Sequence, residues 1–241
     1  MILANVRQCL TRGDAQLAMR LIARGSSREI DALELRLRDE GVDVILDDPR
    51  LRGAMLGQAQ AAHASPPLFT YVLVRHALRA VGEGDRPMAD FVTSVLLHFG
   101  QRGRAERIRE HDDQVYDTLA ALLADADCSD PTRAFLARAH LGNYALWLAG
   151  IFPDFIEARR HRRGGPDLDY FDEMGRRGYQ LAASHWLASQ HGVEPLFTCV
   201  AARFGRLRVA LNRVSDEVFF STHHSASKLM RQVRDEARWL S

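Results

Sequence analysis

PTRAFLARAHLGNYALWLAGIFP, residues 131 to 153, is the stretch whose reading decides the fold class. Ser129 or Asp130 ahead of it offers a side-chain cap, and Pro131 suits a first helical turn, where the missing amide would have had no partner. Gly150 and Pro153 close it. Between these signals the residues are apolar on almost every side, as expected of a helix surrounded by other helices rather than one lying on a surface. The chain is therefore expected to be all-α: a single multi-helix bundle of roughly eight to ten helices, with a buried central helix near 131–149.

The flanking segments agree. SSREIDALELRLRDEG opens with Ser26 and Glu29 at capping-box spacing and closes with Gly41. Leu33, Leu35 and Leu37 also alternate with charges, so a hairpin completed by VDVIL is the alternative over 27–46, and the caps favour helix. Asp48 before Pro49 and the Pro66–Pro67 pair mark two further helix starts. From Pro87 the apolar residues Met88, Phe91, Val95 and Phe99, then Ile108, Val115, Leu119, Leu122 and Ala126, recur at helical spacing. The pattern then predicts helices over about 169–190, from Glu194 to Val214, and from Ser215 to Leu240 with Ser215 or Asp216 as its cap. One domain over 1–241 is expected, with a possible subdomain boundary near 104.

Composition narrows the function classes. With 32 basic and 31 acidic residues the formal net charge is +1, so no global field recommends nucleic acid or an anionic membrane. Lys228 is the only lysine, and this skew toward arginine is read as coding bias. Cys9, Cys128 and Cys199 are far apart and form no Cys-x-x-Cys pair, which fits a reducing cytoplasm better than a disulfide framework or a zinc knuckle. The N-terminus turns polar too soon for a secretory signal, and the apolar run 144–152 is short of the roughly 20 residues that cross a bilayer. A cytoplasmic protein with no membrane partner is expected.

Candidate chemistry centres on polar groups set among apolar ones. His140 lies one helical turn from both Asn143 and Tyr144. With Tyr170, Glu173, Tyr179 and His185 they make a possible small-ligand pocket between helices 131–149 and 169–190, although an interhelical hydrogen-bond network is the plainer use. Arg159, Arg160, Arg162 and Arg163 form a candidate anion-binding cluster, against which stands a solvated face paired with nearby aspartates. His76 and His111 also fall on apolar stripes, and the adjacent His223 and His224 read as surface. No Glu-x-x-His, His-Glu-x-x-His, nucleophile elbow or P-loop is present, so no metal, cofactor or catalytic residue is assigned. Gly175 and Gly178 sit inside a helical pattern, where glycine costs about 1 kcal/mol relative to alanine, and close approach of a neighbouring helix is the expected compensation.

GNYALWLAGIFPDF followed by DYFDEMGRRGYQLAA resembles uncharacterised bacterial all-helical proteins with a G-x-Y…G-x-FP…Y…G…Y pattern, over residues 141–183. The resemblance implies a helical fold and a bacterial origin, and brings no activity with it. It also implies that Phe152–Pro153 is a turn and that the two tyrosine-bearing helices face each other.

Three readings of function follow in order. The first is a protein-interaction or regulatory module, expected as a homodimer or with another protein partner. The alternative is a small-ligand-binding protein or enzyme using the pocket above, with the balance leaning against an enzyme. The third, nucleic-acid binding through Arg159–Arg163, is disfavoured by the lack of any recognition pattern.

Overall fold

The computed structural model describes residues 2–222, 228–233 and 235. Among them there is no strand, and ten α-helices reach seven residues or more, so with the shorter ones the count slightly exceeds the expected eight to ten. The chain divides into two compact units: Leu3–Ala80 with Gly84–Leu97, and His98 onward with Val81–Glu83.

The first unit holds α1 (Arg12–Ala23), α2 (Ser27–Glu40), α3 (Asp43–Leu46), α4 (Pro49–Gly57), α5 (Pro66–Ala80) and most of α6 (Arg86–Phe99). Residues 27–46 are thus helical and not a hairpin. Ser26 accepts from the Glu29 amide, but the reciprocal half of the capping box is missing because the Glu29 carboxylate turns to Arg50, 2.8 Å away. Asp48 caps α4 as its sequence implied. Asp47 gathers the guanidinium groups of Arg75 and Arg86. Burial opposes its charge, yet those hydrogen bonds hold its carboxyl at about 2.

The second unit is built around α8 (Pro131–Ile151), whose buried face includes Phe135, Leu141, Ala145, Leu146 and Ala149. Asp130 supplies the cap by accepting from the Thr132 amide at 2.9 Å. Packed around it are α7 (Leu119–Asp125), α9 (Pro153–Arg163), α10 (Leu168–Ala183), α11 (Trp186–Gln190) and α12 (Glu194–Val214). The glycines on α10 do what the pattern required. A Cβ on Gly178 would sit 2.6 Å from the Gly142 amide nitrogen, and one on Gly175 would fall 2.1 Å from the tip of the Phe204 ring. The missing carbon at Gly178 lets the α8 and α10 backbones approach, and the one at Gly175 admits the Phe204 ring of α12.

Three sequence expectations need correction. The helix expected over 169–190 breaks at Ser184–His185, because His185 is extended and its Nδ1 accepts from the Leu187 amide, capping α11 instead of continuing α10. Ile108 and Val115 lie in an irregular segment between α6 and α7, and His111 in that segment is exposed. Ser215 does not start a new helix. It opens a π turn, Ser215–Phe219, that extends α12, with the Phe220 amide reaching back to the Ser215 carbonyl at 2.9 Å. His223 and His224, and much of the expected last helix, lie outside the described residues; residues 228–233 are helical.

Candidate functional site

The π turn matters because of where it puts Ser215. The last four carbonyls of any helix lack intrahelical donors. At the end of α8, Asn212 Nδ2 donates to the Ala149 and Gly150 carbonyls at 2.7 and 2.9 Å, and Ser215 Oγ donates to the Ile151 carbonyl at 2.6 Å. Asn212 is itself held by Arg208, which pairs with Asp172 of α10 at 2.9 Å, all three nearly excluded from water. A chain of hydrogen bonds thereby fixes the C-terminal end of α8 against α10 and α12.

From that fixed end the backbone turns at Phe152–Pro153 into α9, and a cleft of about 650 Å³ opens between the two helices. One wall is the α8 stripe Tyr144, Trp147, Leu148 and Ile151, at helical spacing. The facing wall is the α9 stripe Phe155, Ala158 and Arg162, again one residue per turn. Ser215 and Phe220 of the π turn close the third side, where the Phe220 ring meets Phe152 edge-on at 6.0 Å between centroids. Both stripes begin at the Phe152–Pro153 vertex. Tyr144 and Arg162 are the lining residues farthest along each helix from it, and Glu106 also lines the cleft.

The rings of the α8 wall form a stack. His140 lies parallel to Tyr144 at 6.1 Å, and Tyr144 parallel to Trp147 at 6.1 Å. Burial, first of all, and then the Glu106 carboxylate raise the Tyr144 hydroxyl above its ordinary pKa, so it stays a donor. Among the described residues that hydroxyl has no hydrogen-bond partner. Asp154, beside the vertex, is neutralised by Arg231 at 3.2 Å, and Arg231 also meets Asp216 at 2.8 Å.

The seven pocket candidates named from sequence do not converge. Asn143 and Tyr179 meet on the α10 side, where the buried Tyr179 hydroxyl donates to Asn143 Oδ1 at 2.7 Å. There they form an interhelical tie, and the ring of Tyr179 covers Gly142. His140 faces the irregular segment and its Nε2 bonds the Ala105 carbonyl at 2.8 Å; burial outweighs that bond and lowers its pKa to about 4, so the ring is neutral. Tyr144 alone of the seven lines the cleft. Glu173 is exposed, Tyr170 is half-buried with its ring edge-on to Phe171, and His185 caps α11. Of the arginine cluster, Arg160 lies 3.8 Å from Glu157, while Arg162 lines the cleft. The contributions of Phe155, Glu106, Ser215 and Phe220 were not anticipated. Only Phe155, three residues after Phe152 across the proline, left a local signal.

Among the described residues no histidine, cysteine or lysine lines the cleft, and the Ser215 hydroxyl there donates to the Ile151 carbonyl. Among the described residues no group of three or more His, Cys, Asp or Glu side chains is placed to hold a metal ion, and no helix is long and apolar enough to cross a membrane. No family model, curated protein or solved structure matches the chain.

Proposed function

We propose that this protein binds a small, largely apolar molecule in the α8–α9 cleft. The observation that carries the reading is the cleft itself: about 650 Å³, walled by the rings of Tyr144, Trp147, Phe152, Phe155 and Phe220, with only a few polar groups at its rim. Small-molecule sites have volumes of about 300–1000 Å³ and this balance of apolar wall to sparse polar group. The reading keeps the expected ligand-binding class but moves the site from the α8–α10 interface, which is closed by glycine contacts and the Asn143–Tyr179 bond, to the other side of α8.

Native mass spectrometry of the purified full chain tests it. A ligand-sized excess mass, or uptake of an added apolar probe such as octanol, is the expected result, and Ala158→Trp, which fills the cleft from α9, abolishes it. Binding that survives Ala158→Trp unchanged places the ligand elsewhere and rejects this site. The same spectra report the oligomeric state. The homodimer reading draws support from Leu229, Met230 and Val233, each more than half exposed within one short helical segment. A dimer that dissociates in Leu229→Asp would favour that interaction-module reading.

A further inference from the structure

Helical residues 228–233 dock inside out. Lys228 and Arg231, with Asp235 just beyond them, are buried, while Leu229, Met230 and Val233 stand in water. A surface helix ordinarily lays its apolar stripe on the protein and turns its charges outward. Here the charges face inward, so the segment is held by where its cations go and not by the apolar area it covers.

They go to two sides of the cleft. Lys228 Nζ donates to the Phe220 carbonyl at 2.9 Å and lies 3.5 Å from Asp216. Arg231 Nη2 donates to Asp154 Oδ1 at 3.2 Å and to Asp216 Oδ1 at 2.8 Å, and Gln232 donates to the other Asp216 oxygen at 3.0 Å. Asp154 is the second residue of α9, and Asp216 belongs to the π turn whose Ser215 and Phe220 close the cleft's third side. One nitrogen of a side chain only 2 % exposed thus bridges the start of α9 to that turn. Arg231 Nε, also buried, makes no hydrogen bond among the described residues, so the bridge runs through Nη2. Ile156 already seats α9 against Ala149 and Leu168, and what the bridge adds is the angle at which the helix leaves the Phe152–Pro153 vertex. A small rotation there is amplified at Arg162, about 12 Å further along the helix axis than Asp154.

We propose that Arg231 is a positioning residue that sets the width of the α8–α9 cleft, and with it the girth of the apolar molecule admitted. It ties Asp154 to Asp216, while Lys228 fixes the Phe220 end of the same turn. Buried ion pairs of this kind are a poor source of net stability, because desolvation offsets much of their attraction. Their hydrogen bonds are directional, however, and weaken steeply when the groups shift, so they hold an angle that an apolar contact would let slide. The selectivity rests on the α8–α9 cleft being the binding site; the bridge itself does not.

The deciding experiment is isothermal titration calorimetry of the full chain with octanol and the broader adamantanemethanol, two neutral alcohols that differ in girth. It is repeated on Arg231→Met, on Asp154→Asn, which cuts the α9 end of the bridge while Asp216 still neutralises Arg231, and on Arg231→Lys. Either cut is expected to shift the affinity ratio about tenfold toward the broader alcohol, the low end of what one misfitting methylene is worth in an apolar pocket. Arg231→Lys should restore the wild-type ratio, since one ammonium nitrogen can stand between the two carboxylates as Nη2 does. A merely structural loss would weaken both alcohols together and leave the ratio fixed. A ratio unchanged in both Arg231→Met and Asp154→Asn overturns the positioning role and leaves the cleft standing as a binding site. If neither alcohol binds the wild-type chain, the cleft reading fails and the selectivity falls with it. Amide hydrogen exchange of the ligand-free chain then tests the bridge alone. Faster exchange at Ile156 and Phe220 in Asp154→Asn is the expected result, and unchanged protection at both overturns it.

Discussion

The central helix α8 presents apolar residues toward both α10 and α9, yet the two interfaces end in opposite states. Toward α10 and α12 the contacts are closed: Gly178 of α10 meets the Gly142 backbone, Gly175 admits Phe204 of α12, and the buried Arg208–Asp172–Asn212 chain and the Asn143–Tyr179 bond tie the three helices. Toward α9 a small cluster of Ala149, Ile156 and Leu168 is sealed, and beyond it rings stand apart around a cleft. Apolarity therefore does not decide whether two helices close. Residue size at the crossing does, since glycine admits the opposing backbone whereas Trp147, Phe152 and Phe155 prop the α9 side open.

The comparison breaks most readily at the closed face. Asp172→Ala leaves Arg208, only 2 % exposed, with its nearest countercharge gone. Such a change costs about 3–5 kcal/mol, readable as a fall in the urea midpoint. Asp235 also lies 3.5 Å from Arg208, so removing the whole cluster, Asp172→Leu with Arg208→Met and Asp235→Asn, should cost far less, because no buried charge is then stranded. If the single change is silent, the closed face is not held by its buried polar chain.

An acid titration probes a third side of the same helix. His140 is neutral in the fold with a pKa lowered to about 4 from an ordinary 6.5. The unfolded chain therefore binds a proton over that window that the folded chain refuses, so stability is complete above about 6.5 and falls as pH drops toward 4. The loss reaches about 3 kcal/mol at the bottom of the window. Urea unfolding at a series of pH values should show this slope, and His140→Gln should flatten it while retaining a donor for the Ala105 carbonyl.

How far the sequence reaches follows the same division between local and distant causes. The caps at Asp48 and Asp130, the helix from Glu194 to Val214 and the close approach at Gly175 and Gly178 were all legible, since each depends on a few neighbouring residues. The break at Ser184–His185 was not, because apolar periodicity runs straight through it and the deciding event is one imidazole accepting one amide. The cleft was half legible. Tyr144, Trp147 and the Phe152–Pro153 turn are contiguous in sequence, but Ser215 is brought to Ile151 from 64 residues further along, by a π turn that leaves no compositional mark. Asn143 reads as a pocket residue in the sequence for a related reason. Adjacency to His140 and Tyr144 along the helix said nothing of which side of α8 it faces, and it faces Tyr179.

One added carbon then separates the two faces. Gly178→Ala places a Cβ against the Gly142 backbone, which cannot move aside as a side chain would, and should destabilise by about 2 kcal/mol. Ala158→Trp adds a whole indole on the α9 side, where the cleft has room, and should leave the urea midpoint nearly unchanged. Equal costs for the two would mean the cleft closes in solution.

The smallest stability effect is expected where the binding effect is largest. Phe220 is 37 % exposed, touches Phe152 edge-on, and has the space of the cleft on its other side. More than a third of its area stays in water and it borders the open cleft, so Phe220→Ala should cost well below the ~3–5 kcal/mol of a fully buried phenylalanine. The same change takes away one of three walls, so octanol uptake should weaken several-fold, with the thermal midpoint of the free protein nearly fixed. A large drop in that midpoint would show that Phe220 belongs to the core and that the cleft is a packing defect. A binding loss without it separates wall from core on a single helix, at the end of α8 where one serine hydroxyl holds the π turn in place.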